Sequence, residues 1–110
     1  MVKNHYVYIL ICPIDKVVRY VGKTTRPKDR LRQHCKDIGE TTAKKRWIKM
    51  LNEKNLKPYI QIVGISDSEA KGRIMEDEMV KKYIDTVYNI HMPAKGAKDI
   101  KFYKQHNETI

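Results

Sequence analysis

Two kinds of hydrophobic pattern alternate along the chain, one typical of β-strands and the other of helices. HYVYILIC (5–12) is β-branched and aromatic with almost no polar interruption, which is typical of a strand covered on both faces. Turn residues PIDK (13–16) separate it from VVRYVG (17–22), so these segments predict a β-hairpin. PYIQIVGI (58–65) predicts a third strand.

The helices are predicted from apolar periodicity and from residues that start or stop helices. One helix opens at a first-turn proline and covers 27–38, ending before a glycine. A second covers roughly 43–54 and buries an apolar stripe that includes Trp47. The capping box SDSE (66–69), with Ser66 as the cap, starts a long helix that ends near Ile84.

The order of these elements predicts the fold class. A hairpin, two helices, a strand and a helix indicate an α+β domain: a small three-stranded antiparallel sheet flanked by about three to four helices. The length of 110 residues fits one domain, which we place at residues 1–90, with a short extended piece at 88–90. The polar, basic segment 91–110 lacks periodicity and is expected to be a loosely held tail.

The charge of the chain indicates a polyanionic partner. Lys and Arg number 23 against 13 Asp and Glu, a net charge of +10, which favours nucleic acid. No apolar run approaches the roughly 20 residues that span a bilayer, no cationic amphipathic helix indicates a membrane surface, and the N-terminus lacks a signal-peptide cleavage site. Cys12 and Cys35 are expected to be free thiols, so we expect a reducing, cytoplasmic location.

One acidic residue lies on a helical face that should be buried. In the last helix Glu76 lies on the same face as four residues expected in the core, Gly72, Met79, Val80 and Tyr83. A buried, unpaired carboxylate costs several kcal/mol, so Glu76 needs a basic partner or a metal ion. A structural salt bridge to Arg30 would satisfy it equally well. The mid-helix Gly72 suggests that another group approaches this helix closely.

The helix at 27–38 places basic residues beside its apolar stripe. The predicted stripe consists of Leu31, Cys35 and Ile38. Arg30 and His34 lie along one border, either as a boundary pair or as groups that project into a cleft. The other border is a basic ladder expected to face solvent and contact phosphates, formed by Lys28, Arg32 and Lys36.

The segment GKT (22–24) does not complete a nucleotide-binding loop. That motif needs a second glycine at the position of Val17. Gly22 is instead expected to let the backbone turn sharply at the strand end, or to let a phosphate approach the main chain.

The order and spacing of these residues resemble the GIY-YIG nucleases. YVY (6–8) stands at the first strand motif of that family and YVG (20–22) matches the second. The family's first-motif glycine is Tyr6 here. The family's remaining motif positions, a lysine, an arginine, a helix histidine, a glutamate and a closing asparagine, fall on Lys23, Arg30, His34, Glu76 and Asn89.

The resemblance implies hydrolysis of DNA phosphodiester bonds with one Mg²⁺ or Mn²⁺ ion per site, held by Glu76. It implies that Arg30 contacts the scissile phosphate. Lys23 would hold a phosphate oxygen or lower the pKa of a tyrosine. Either Tyr8 or Tyr20 would be the general base; the two face each other directly if the hairpin is centred on Ile14.

His34 has two open roles under this resemblance: it would orient the water or protonate the leaving oxygen. Gly22 and Asn89 would be structural. Target selection by a protein partner or an oligomer remains open.

Two other classes of protein compete with the nuclease. A non-catalytic nucleic-acid-binding module would share the fold and the charge, but it would be expected to lose Arg30 or Glu76, and both are present. A structural or membrane-surface basic protein would hold Glu76 in a simple salt bridge.

Overall fold

The structure, a computed structural model, describes residues 3–89 of the chain. Its elements in chain order are β1 (His5–Ile11), β2 (Val18–Thr24), α1 (Pro27–Lys36), α2 (Ala43–Glu53), β3 (Tyr59–Ser66) and α3 (Glu69–Lys82). Each corresponds to an element that the hydrophobic pattern predicts. The tail at 91–110 and the last residue of the extended piece at 88–90 lie outside the described residues.

The three strands form one antiparallel sheet in the order β2-β1-β3, which confirms the predicted α+β class. Strand β1 is central, and the helices cover both faces of the sheet, so its four middle residues are buried: Val7, Tyr8, Ile9 and Leu10. This explains why the segment is apolar almost without interruption. Strand β2 lies at one edge of the sheet.

Each face of the sheet has its own hydrophobic core. Val80 of α3 and Ile84, which follows the helix, pack on the face that carries Val7 and Val21. The opposite face is packed against α1 and α2, with core members Tyr8, Leu10, Cys12, Trp47, Ile48 and Leu51. Within the described range, none of the helices combines the length and apolar composition needed to cross a bilayer.

The predicted cap of α3 is wrong by two residues. Ser66 is still paired with His5 in the sheet, and its hydroxyl accepts from the Ser68 backbone N–H at 3.0 Å. The hydroxyl of Ser68 accepts from the backbone N–H of Lys71 at 3.3 Å, so Ser68 is the N-cap. Strand pairing therefore takes precedence over the capping box at this position.

The predicted apolar stripe of α1 is wrong at Ile38. The helix ends at Lys36, so Ile38 leaves the helical wheel and is 50% exposed. The buried residue of α1 is His34, at 3% exposure, while Leu31 packs partly against the core. Both cysteines are free, Cys12 buried and Cys35 half-buried.

The hairpin does not have the register in which Tyr8 and Tyr20 would face each other directly. Tyr8 pairs with Gly22 and Leu10 with Tyr20, so the pairing is centred on residue 15 rather than on Ile14. The tyrosines are therefore diagonal neighbours on one face instead of direct partners. Gly22 lies inside β2 and not at a sharp turn, which corrects the role expected for its backbone.

Candidate active site

A buried hydrogen-bonded group joins β1 to α1. Tyr8 is fully buried, and its hydroxyl lies 2.6 Å from Nε2 of His34. Nε of Arg30 donates to the same hydroxyl oxygen at 3.4 Å. The spacing of four residues places Arg30 and His34 on one side of α1, so both side chains reach the same phenol.

Tyr20 completes this group from β2 and is the more accessible of the two tyrosines. Its ring centroid lies 6.4 Å from that of Tyr8 and 4.9 Å from that of His34. The half-buried Tyr20 lines a cleft of about 610 Å³ together with Arg30 and His34. Water can therefore reach Tyr20, whereas Tyr8 lies behind it in the core.

Lys23 and Glu76 lie on the other face of β2. The stem of Lys23 crosses α3 at Gly72, where an added Cβ would lie 3.0 Å from the lysine Cδ. The close approach that the mid-helix glycine predicts is thus made by Lys23, with Cβ of His5 at 3.3 Å. Glu76 is one turn further along α3 and is half-buried.

Glu76 has no counter-ion in the part of the chain that the structure describes. None of the ion pairs between residues 3 and 89 includes it, so the alternative of a salt bridge to Arg30 is wrong. Burial raises the pKa of Glu76, while Lys23 opposes this rise from a distance. A partly dehydrated carboxylate without a partner is a site of unsatisfied negative charge.

The protonation states of the buried group follow from its surroundings. Burial and, to a smaller extent, the charges of Lys44 and Arg30 together lower the pKa of His34 to about 3, so the imidazole is neutral at pH 7. Burial raises the pKa of both tyrosines, and Arg30 opposes the rise in each. Tyr8 is therefore a neutral phenol whose hydroxyl can donate to the neutral ring of His34.

A hydrated Mg²⁺ ion fits this site better than a metal that needs several protein ligands. Among residues 3–89 no group of three or more His, Cys, Asp or Glu side chains is arranged to hold a metal. Mg²⁺ binds through one or two carboxylates and keeps most of its waters, which one carboxylate at Glu76 can provide. The half-buried carboxylate of Glu76, which has no ion-pair partner among residues 3–89, is the observation that fits such an ion.

Comparison with known proteins places this arrangement in a family. Residues 4–89 match the family model of the GIY-YIG catalytic domain. The chain belongs to the GIY-YIG nuclease family. No curated protein and no solved structure gave a match.

Asn89 is hydrogen-bonded to the edge strand of the sheet. Its side-chain amide donates to the backbone oxygen of Val21 at 2.8 Å and accepts from the N–H of Val21 at 3.1 Å. Asn89 thus caps the outer edge of β2 beside Tyr20. Gly22 serves the site in another way, because a Cβ there would lie 2.3 Å from the hydroxyl of Tyr8.

The basic ladder on α1 divides between solvent and cleft. Lys28, Arg32 and Lys36 are all exposed, as predicted for an outward face. Arg32 forms an ion pair with Asp29, which reduces its availability to a ligand. Lys36 lines the same cleft as Tyr20, so it is the residue of the ladder that lies beside the candidate active site.

Sequence reasoning missed Lys44 and its partner Asp37. Lys44 is only 9% exposed and lies on the buried face of α2 with Trp47 and Ile48. Its position three and four residues before these core side chains was visible in the sequence. The helical wheel that singles out Glu76 in α3 therefore singles out Lys44 in α2.

Proposed function

We propose that this GIY-YIG chain is a metal-dependent DNA endonuclease with one active site at the edge of β2. The observation that carries the proposal is the half-buried Glu76, which has no ion-pair partner among residues 3–89 and lies across β2 from the contacts among Tyr8, Tyr20, Arg30 and His34. The net charge of +10 supports a polyanionic substrate.

Glu76 would hold a single Mg²⁺ or Mn²⁺ ion. When bound, the ion would neutralise charge on the phosphate and lower the pKa of a coordinated water. A purely structural carboxylate on a buried face would instead have a basic partner, which Glu76 lacks among the ion pairs of residues 3–89.

Arg30 is the proposed contact to the scissile phosphate. It lines the cleft of about 610 Å³ and also a second recess of about 300 Å³, which Lys23 lines as well. A DNA backbone that crosses from one recess to the other would pass Arg30. The guanidinium uses Nε on Tyr8 and Nη1 on Gln33, and its other N–H groups can donate to phosphate oxygens.

Tyr20 is the proposed general base, with Tyr8 and His34 behind it. Tyr20 is reached from the cleft, whereas Tyr8 is fully buried. The phenol of Tyr20 is neutral in the free protein because burial raises its pKa, so its proton must leave under the influence of nearby cations. The cleavage rate is therefore expected to increase with pH through the neutral and alkaline range.

The hydrogen bond from Tyr8 to His34 would fix the position of Arg30 rather than deliver a proton to the leaving oxygen. A neutral imidazole whose pKa is lowered to about 3 is a poor acid at pH 7. This favours neither of the two roles that the sequence leaves open for His34, and gives it the role of an acceptor for Tyr8.

A plasmid-nicking assay tests the function. Wild type should nick supercoiled DNA with Mg²⁺ and not with EDTA, Glu76→Gln should bind DNA without cleaving it, and the charge-matched Glu78→Gln should cleave normally, since Glu78 is exposed on the same helix. Full cleavage by Glu76→Gln would refute the metal assignment. DNA binding without cleavage by wild type would favour the non-catalytic binding module.

A further inference from the structure

Lys44 is a charged residue on the buried face of α2, where packing alone does not require a charge. Its neighbours on the buried face of the helix are Trp47, Ile48 and Leu51, and Lys44 is 9% exposed. Burying an ammonium group costs free energy unless a partner compensates for the lost water. An apolar residue would pack on this face without that cost, so the contacts of the ammonium need an explanation.

The ammonium of Lys44 joins three elements of the fold. Nζ donates to Oδ2 of Asp37 at 2.9 Å and lies 5.2 Å from the centroid of the Tyr20 ring. Asp37 is the C-cap residue of α1, and Tyr20 belongs to β2. A cation over an aromatic face is attracted to it, so Lys44 holds both groups from its place in α2.

Both contacts of Lys44 bear on the position of His34. The backbone N–H of Asp37 donates to the backbone oxygen of His34 at 3.1 Å, and the ring of Tyr20 packs edge-on against the His34 ring. We propose that Lys44 is a positioning residue, whose ammonium fixes Tyr20 and the end of α1 that carries His34. This inference rests on the proposed function for its catalytic consequence.

Besides its contacts with Asp37 and Tyr20, Lys44 acts on His34 through its charge. Five charged or titratable groups face the imidazole or lie near it: Tyr8 from β1, Tyr20 from β2, Arg30 from α1, Asp37 after α1, and Lys44 from α2. After burial, Lys44 is the main influence that lowers the pKa of His34, and Asp37 opposes it. Lys44 thus acts with burial to lower the pKa of the ring that accepts from Tyr8.

Direct contact with a DNA phosphate is the competing role, because Lys44 also lines the cleft. Both lysines pair with Asp37, Lys44 at 2.9 Å and Lys45 at 3.9 Å, but the side chain of Lys44 is 11% exposed whereas that of Lys45 is 36% exposed. The two roles predict opposite effects for Asp37→Asn. Removing a negative charge from the cleft strengthens phosphate binding, but it also releases Lys44 from its partner.

The test compares kcat and DNA affinity in Lys44→Met, Lys44→Arg and Asp37→Asn. Lys57→Met is the charge-matched control, since Lys57 is exposed and lies outside the cleft. Positioning predicts that both Lys44→Met and Asp37→Asn lower kcat between about tenfold and a hundredfold at saturating DNA. The dissociation constant of Lys44→Met should change no more than that of Lys57→Met, and Lys44→Arg should recover most of the lost kcat.

Nuclear magnetic resonance of the His34 and Tyr20 rings in the free protein supplies a readout that does not need cleavage. Lys44→Met should raise the pKa of His34 and shift the Tyr20 ring signals, and Lys57→Met should do neither. Unchanged signals in folded Lys44→Met would overturn the positioning role. If Lys44→Met does not fold, unchanged signals in Asp37→Asn would overturn it. Wild-type kcat with weakened DNA binding in Lys44→Met would assign a phosphate contact instead. Absence of cleavage by wild type would refute the proposed function. The ring measurement alone would then decide whether Lys44 positions Tyr20 and His34.

Discussion

Replacing Gly22 by alanine tests whether the ring of Tyr8 needs a residue without a side chain at this position of β2. A Cβ on Gly22 would lie 2.3 Å from the hydroxyl oxygen of Tyr8 and 2.4 Å from its Cζ. The ring cannot move into solvent without a rearrangement, because Tyr8 is fully buried. Any displacement also lengthens the 2.6 Å contact to His34. Gly22→Ala should therefore lower both stability and activity.

The size of the stability loss follows from three contributions. Overpacking a filled core costs about 1–3 kcal/mol. Weakening the buried hydrogen bond from Tyr8 to His34 adds about 1 kcal/mol. Alanine recovers roughly 0.5–1 kcal/mol relative to glycine inside a strand. We expect a net loss of about 1–3 kcal/mol in the free energy of unfolding, and a fall in the melting temperature of at least about 4 °C.

Urea denaturation of Gly22→Ala and Gly39→Ala measures this loss against a matched control. A Cβ on Gly39 would lie 3.5 Å from the nearest atom, in Lys45, which is ordinary contact, so Gly39→Ala should change stability by less than about 0.5 kcal/mol. In a Tyr8→Leu background, Gly22→Ala should be nearly neutral, because the atoms it collides with are gone. Equal stability of the two single variants, with wild-type cleavage by Gly22→Ala, would refute the reasoning.

Three further predictions concern the same site. The free energy of unfolding should decrease as pH falls from about 6.5 to about 3, because His34 takes up a proton in the unfolded state over this range but not in the folded state. His34→Gln should flatten this part of the stability profile, measured by urea denaturation. Gly72→Ala should gain up to about 1 kcal/mol of helix stability yet lower kcat by displacing the Lys23 stem; unchanged kcat would contradict this. Arg30→Lys keeps the charge but loses the Nε donor to Tyr8, so cleavage should fall about 10²-fold or more at similar DNA affinity in a gel-shift assay.

The sequence predicts the elements of the fold well because their signals are local. The uninterrupted apolar run at 5–12 reflects the central position of β1, covered on both faces, and the sheet order places it there. The cap of α3 and the end of α1 are mispredicted because tertiary contacts decide them. Ser66 is held by its pairing with His5, and the buried face of α1 is set by the contact between His34 and Tyr8.

The geometry of the site depends on the hairpin register, which local pattern does not determine. Lys16 adopts a left-handed backbone conformation with φ of 63°, and the pairing shifts by one residue between Leu10 and Ile11. Continuing the register of Ile11 with Val18 would pair Tyr8 with Val21, so the shift makes Gly22 the direct partner of Tyr8. A turn of one residue more or less would have changed which side chain the tyrosine ring meets.

The two charged residues on buried helical faces are distinguished by their partners. Lys44 in α2 has Asp37 at 2.9 Å, so its charge is compensated within the protein. Glu76 in α3 has no ion-pair partner among residues 3–89, and burial raises its pKa. A charge that is compensated internally can order its neighbours, whereas an uncompensated one is available to a ligand from outside. The same sequence signal therefore leads to two proposed roles, and only the contacts in the folded structure separate the positioning proposed for Lys44 from the metal binding proposed for Glu76.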